Sequence, residues 1–195
     1  MTQTKEAKII VPRLKDAFNK AGLAELKKRL GRENVNALPR LVKIVINIGV
    51  SAARENIKAL DVAVVELATI SGQKPVIRKS KKSISAFKLR EGMPIGVSVT
   101  LRGARMYEFL DRFITVGVPR IRDFKGLNPK AFDGHGNYNI GLKEQYLFPE
   151  VNVEKSDGPR GMNITFVTTG RSDKDAYELL SVLGMPFTKE KARLN

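Results

Sequence analysis

The chain has 195 residues, 42% of them hydrophobic and 28% charged, the balance of a folded protein large enough for one substantial core. Lys and Arg number 35 against 20 Asp and Glu, a net charge of +15. Such an excess opposes compaction unless a polyanion offsets it, so nucleic acid is the leading partner class and an anionic membrane surface the rival. Cysteine is absent, which excludes disulfides, thiolate zinc and thiol catalysis.

No apolar run reaches membrane-span length, and the opening MTQTKEAKIIVPRLK lacks the apolar core of a secretory signal. The chain reads as intracellular and free of membrane. It reads as one domain over 1–195, with a polar lead at 1–12 and a polar tail at 188–195.

Leu14, Phe18, Leu26 and Leu30 recur at helical spacing, with Ala17 and Ala21 beside them. Gly22 weakens that helix and Gly31 is placed to cap it. From Leu41 to Val50 the pattern alternates. Val42, Ile44, Ile46 and Ile48 point one way, and Lys43, Val45, Asn47 and Gly49 the other. A second helix spans Ile57 to Ile70, with Leu60, Val64, Leu67 and Ala68 as its stripe and Gly72 just beyond. Its acids, Asp61 and Glu66, are expected to face solvent or sit in ion pairs.

Pro75 opens a short strand, Val76 to Lys79. A second alternating strand runs from Ile95 to Arg102, with Gly96, Ser98, Thr100 and Arg102 on its polar side. Ala104 to Val116 reads as a helix whose Met106, Phe109, Leu110, Phe113 and Ile114 form a core stripe. Gly117 to Gly161 holds four prolines and seven glycines. A small hairpin around Asn137 to Leu142 and order gained only against a partner are expected there. Met162 to Gly170 is another strand. The last helix, Asp173 to Leu183, starts at Ser172 with Asp175 three residues on.

These elements predict an α+β fold, with a mostly antiparallel sheet and helices packed on one face. The opposite face would be polar, displaying Lys43, Asn47, Ser98, Thr100, Arg102, Asn163, Thr165 and Thr169. Small polar groups reach phosphate and 2′-hydroxyl oxygens, while Lys and Arg neutralise charge.

Beside that face lies the most basic stretch of the chain. Between Lys74 and Arg105 nine Lys or Arg stand against the single acid Glu91, a net +8. Lys81-Lys82 and Lys88-Leu-Arg90 fit the two arms of a protruding hairpin. Pro75 and Pro94 stiffen its bases. Phe87 is placed to stack on a base or sugar or to act as an apolar wedge.

Catalytic signals are missing. No GxxxxGK[ST], no GxSxG and no HExxH occur, and no GxGxxG joins a strand to a helix. The only histidine, His135, sits between two glycines and reads as a turn residue rather than a base or ligand. No enzyme, cofactor or metal is expected. An RNA-modifying enzyme and a non-specific polyanion binder are the alternatives to a structural RNA-binding role.

Several runs together carry a resemblance. They are Pro39-Arg40, KIVINIGV (43–50), SGQKPVIRKSKKSISAFKLREGMPIG (71–96), VTLRG (99–103), RMYEFLDR (105–112), PRIRDFKGL (119–127), FDGHGNY (132–138), KEQ…FPE (143–150) and RGMNITFVTT (160–169). In this order, from about Pro39 to Phe187, the chain resembles the bacterial large-subunit ribosomal protein L five family. The N-terminal helix matches only in kind and the tail not at all. His135 stands where the family is expected to carry Arg.

The resemblance implies a structural constituent of the cytoplasmic ribosome that binds 5S rRNA and anchors it in the central protuberance. It implies rRNA contacts at Lys43, Asn47, Gly49, Gln73, Lys74, Arg78, Lys79, Ser98, Thr100 and Arg102. The protruding loop, Lys81 to Gly92, would touch P-site tRNA through Lys81, Lys82, Ser83, Phe87, Lys88 and Arg90. The irregular region, about Pro119 to Gln145, would form an intersubunit bridge to a protein of the small-subunit head through Arg120, Arg122, Asp133, Asn137 and Lys143. Other implied partners are 23S-type rRNA and neighbouring 5S-associated ribosomal proteins.

Overall fold

The computed structural model describes residues 11–54, 56–153 and 156–188. Most of the expected polar lead (1–10) and tail (189–195) lies outside these residues. Thr188, expected in the tail, is tied down: its backbone N–H donates to Leu127 O at 3.0 Å.

Helix α1 (Arg13–Ala17) passes through a π-turn (Phe18–Gly22) into α2 (Leu23–Leu30), where Gly31 ends it in the left-handed conformation. Phe18 and Leu26 are buried, whereas Ala17 and Ala21 face solvent. Strand β1 (Leu41–Gly49) follows. Helix α3 (Ile57–Ser71) is capped by the Asn56 side chain, which accepts from Lys58 N at 3.0 Å, and is closed by left-handed Gly72. Its buried stripe runs through Leu60, Ala63, Glu66, Leu67 and Ile70, with Val64 and Ala68 only half-buried at its margin. The stripe is therefore rotated from the expected one, and it takes Glu66 inside.

Then come β2 (Val76–Lys79), β3 (Pro94–Leu101) and α4 (Gly103–Arg112), which continues through a second π-turn (Phe113–Gly117). After the irregular region come β4 (Tyr138–Leu142), β5 (Met162–Thr168) and α5 (Asp173–Val182). The Ser172 hydroxyl accepts from Asp175 N at 3.3 Å and caps α5 as its sequence pattern predicts.

The sheet order is β2-β3-β1-β5-β4, with every neighbouring pair antiparallel. Ile44, Ile46 and Ile48 of β1, Val97, Val99 and Leu101 of β3, and Ile164 and Phe166 of β5 form its covered face. α3 packs on β3 and α4 on β1, with α1 against α4 and α2 against α5. Phe109 and Phe113 belong to this core. Phe113 lies 5.9 Å from Phe166 and Phe109 5.8 Å from Phe148, ring centre to ring centre.

Two expectations fail for identifiable reasons. Val42 is 37% exposed and Leu41 is buried, because the register of β1 on β5 shifts between Leu41 and Lys43. One extra residue at a bulge turns the preceding side chains to the other face. The expected small hairpin around 137–142 is present with its turn at 133–137: Phe132 bridges Tyr138 antiparallel, Asn139 N donates to Ala131 O at 3.0 Å, and the second arm continues as β4, which pairs with β5, Tyr138 opposite Phe166 and Leu142 opposite Met162. The irregular region puts Leu127, Tyr138, Leu142, Phe148 and Val151 into the core. Its described part is ordered by that burial, with no need of a partner.

Candidate nucleic-acid interface

Antiparallel pairing sets residues side by side across the open face, because directly opposed residues point to the same side. One row reads Gly141, Asn163, Asn47, Ser98, Val76 from β4 to β2, and the next reads Asn139, Thr165, Val45, Thr100. Asn47, Asn139 and Asn163 are exposed, and Thr100 and Thr165 half-buried. The Thr165 hydroxyl donates to Asn139 Oδ1 at 2.6 Å, so part of the second row is already ordered. Gly49 and Gly96 face each other at one end of β1 and β3. A Cβ on Gly96 would lie 2.5 Å from Ile48 O, whereas one on Gly49 would meet nothing within 4 Å. Gly96 is thus required by close backbone approach, and Gly49 leaves a bare strip of backbone on the surface.

Cations rim these rows. Lys74, Arg78, Lys79 and Arg102 are exposed, and Lys43 is half-buried on β1. Gln73 is held in place, its Nε2 donating to Thr100 O at 3.2 Å and its Oε1 accepting from Arg105 at 3.4 Å. Ser98 departs from expectation. It is only 5% exposed, and its hydroxyl accepts from Arg78 Nε at 2.6 Å. On a central strand, beneath a long side chain from β2, a serine cannot be a surface contact. It orients Arg78 across the face. Thr169 is likewise engaged, accepting from Arg40 N at 2.9 Å.

The basic loop is a folded arm. At its base Ser80 N donates to Met93 O at 2.8 Å and Gly92 N to Ser80 O at 3.0 Å. Midway the Ser83 hydroxyl accepts from Glu91 N at 3.0 Å, so Ser83 staples the arm. Near the tip Ile84 and Leu89 exchange backbone hydrogen bonds at 2.9 and 3.0 Å, and left-handed Lys88 (φ 51°) closes the turn onto Ser85. Lys81, Lys82, Lys88 and Arg90 are exposed along both arms, and Phe87 is 59% exposed at the tip.

The residues expected at an intersubunit bridge divide into two groups. Arg120, Arg122 and Lys143 line one open groove of about 690 Å³ between residues 120–128 and the edge strand β4. Asp133 and Asn137 are not part of it. They build the turn before β4: Asp133 accepts from His135 N, Asn137 N and Asn137 Nδ2 at 2.9, 3.0 and 2.7 Å. The slight burial of Asp133 opposes its ionisation, but these hydrogen bonds and the nearby His135 hold its carboxyl below the usual carboxylate range. In the same turn a Cβ on Gly136 would lie 2.5 Å from Gly170 O. His135 is an exposed residue of this turn, as its glycine neighbours suggest.

Reading along the chain misses one polar cluster. Arg160 donates to Glu66 Oε2 at 2.8 Å, 94 residues away, and its backbone N–H is bonded to the fully buried Gln145 side chain. Gln145 Nε2 in turn donates to Gly158 O at 2.8 Å. A glutamate at a helical core position is the one local signal of this cluster. Among the described residues no group of three or more His, Cys, Asp or Glu could hold a metal ion. No described helix is long and apolar enough to cross a membrane.

Known proteins resemble this chain over most of its length. Residues 34–90 match the family model described as ribosomal protein L5, and residues 94–187 match the model of that ribosomal family's C-terminus. The chain is 51% identical to the large ribosomal subunit protein uL5 of Carboxydothermus hydrogenoformans, over 92% of this chain and all of that one. It is 55% identical to the uL5 of Geotalea uraniireducens, over 90% and 98% of the two chains. With the uL5 of Prochlorococcus marinus it shares 52% over 90% and 98%. The chain belongs to the ribosomal protein L5 family and is a structural ribosomal protein, not an enzyme.

Proposed function

We propose that this protein is a structural constituent of the large ribosomal subunit whose open sheet face binds 5S rRNA. The observation that carries this reading is the register, which lines up Asn47 with Asn163 and brings Thr100 and Thr165 to either side of Val45, inside a rim of Lys43, Arg78 and Arg102. Short amides and hydroxyls let an RNA backbone approach and offer partners to 2′-hydroxyls, while the cations displace counterions. Gln73, Lys74 and Lys79 extend the rim, Gly49 permits close approach, and Ser98 acts through Arg78.

The loop cations Lys81, Lys82, Lys88 and Arg90, with Phe87 at the tip, suit a second RNA, the P-site tRNA. Arg120, Arg122 and Lys143, around their groove, suit a protein of the small-subunit head. Asp133 and Asn137 serve that side by shaping the turn before β4. The protein's charge and family further fit contacts with 23S-type rRNA and with neighbouring 5S-associated proteins.

The test is binding to 5S rRNA and to a size-matched RNA across a salt series. Preference for 5S rRNA should persist as salt weakens both complexes. Asn47→Ala with Thr100→Ala should lose about 2 kcal/mol for 5S rRNA, roughly 30-fold, with the fold intact. Equal affinity for both RNAs would favour a non-specific polyanion binder. A double variant that binds normally would remove the open face from the site.

A further inference from the structure

β4 is the last strand of the sheet, and its inner side pairs with β5. Its outer side begins paired, because Asn139 N donates to Ala131 O at 3.0 Å in the short hairpin that leads into the strand. Main-chain groups alternate along a strand, so those of Asn139 and Gly141 point outward while those of Ile140 and Leu142 point to β5. The hairpin's first arm does not follow the edge any further. Ala131 N turns to Asn128 O at 3.3 Å instead, which leaves the C=O of Asn139 and both the N–H and the C=O of Gly141 with no backbone partner among the described residues.

Folded proteins blunt such an edge with charge, with proline or with a covering segment. β4 reads YNIGL and contains no charged residue and no proline. Nothing among the described residues covers its second half, which borders the open groove of about 690 Å³ beside residues 120–128. Half-buried Ile121, Phe124 and Leu147 give that groove an apolar lining. Its rim carries Arg120, Arg122 and Lys143 but also Asp123 and Glu144, so charge does not select the occupant. The unpaired main-chain groups do.

We propose that an extended segment of another protein adds to this edge as a sixth strand. Its main chain bonds to Asn139 O and to the N–H and C=O of Gly141, taking up the line that the hairpin leaves at Ala131. In strand addition the main-chain bonds give affinity and alternate side chains give specificity. Alternate residues of the segment would cover Ile121, Phe124 and Leu147, so it is apolar at every second position. RNA has no such succession of peptide donors and acceptors, and it gains nothing from the apolar lining. The inference rests on the reading that a protein occupies this groove, and it adds how that protein is held.

The test is a benzophenone photoprobe in place of Glu144, exposed on the rim, in chains assembled into whole ribosomes, with the crosslinked product identified by mass spectrometry. The expected product is a segment of one other protein, apolar at alternate positions. Gly141→Pro removes the outward N–H and leaves the bonds of Ile140 and Leu142 to β5, an arrangement that edge strands tolerate. It should cut the yield several-fold, whereas Gly141→Ala, which keeps the N–H, should retain most of it. Hydrogen exchange of the unsubstituted chain gives a second measurement that no misfolded variant can confuse. The Gly141 amide should exchange several-fold more slowly in whole ribosomes than in the free protein. A protein product insensitive to Gly141→Pro, equal losses in both variants, or unchanged exchange at Gly141 would overturn strand addition and leave a protein in the groove. No product, or a product on rRNA or on a second copy of this chain, would overturn the reading of the groove as well.

Discussion

Single residues change meaning once their neighbours are known. Ser98 belongs to the polar side of β3, yet Arg78 covers it and turns it into a support for a cation. Glu66 reads as a helix acid that faces solvent or sits in an ion pair, and it is paired with Arg160, but at a position only 7% exposed. Breaking such a pair from one side leaves a buried charge uncompensated. Arg160→Met should therefore lower unfolding free energy by about 3–5 kcal/mol. Adding Glu66→Met should restore most of that loss, since the pair is then replaced by packing. Chemical denaturation of both single variants and the double reads this out. Losses that simply add would mean that the two residues do not act as a pair.

At the scale of elements, both π-turns share one pattern, FNKAG at 18–22 and FITVG at 113–117, each opening on Phe and closing on Gly. The glycines have different reasons to be there. A Cβ on Gly22 would lie 2.7 Å from the ring of buried Phe18 and 3.1 Å from Val182 of α5, so the helix needs Gly in order to seat Phe18 and dock. A Cβ on Gly117 would meet Phe113 at 3.4 Å and Phe148 at 3.7 Å, ordinary contacts. Gly22→Ala should destabilise by about 1–3 kcal/mol through overpacking, despite alanine's better helix propensity. Gly117→Ala should stay within about 1 kcal/mol of the parent. Equal losses in denaturation would sink the packing explanation. Gly22 is thus a residue of close approach, not a helix breaker.

At the scale of the whole molecule, charge is segregated by surface. Exposed Lys and Arg rim the open sheet face and line the loop, whereas the acids Glu66 and Glu150 on the helical side are each held by an arginine. The loop is held by its own hydrogen bonds, and its cations are exposed. Replacing Lys81, Lys82, Lys88 and Arg90 by Ala should leave the thermal midpoint unchanged or slightly raised, because it relieves like-charge repulsion. The same variant should keep 5S rRNA binding and weaken tRNA protection in footprints of assembled particles. Loss of 5S binding would show that loop and sheet act as one surface.

Alternation in β1, β3 and β5, helical spacing in α2 to α5 and the cap at Ser172 were legible by reading along the chain, because those signals are local and repeat every two or 3.6 residues. The basic hairpin arm was legible for the same reason, as were the charge and lack of cysteine that directed attention to RNA. Tertiary structure decided the rest. It decided the strand order, the bulge that exposes Val42, the burial of Ser98 and the pairing of β4 with β5. It also separated Arg120, Arg122 and Lys143 from Asp133 and Asn137, and joined Glu66 to Arg160. Each depends on which distant segments lie side by side, and a period within one segment carries no information about its neighbour.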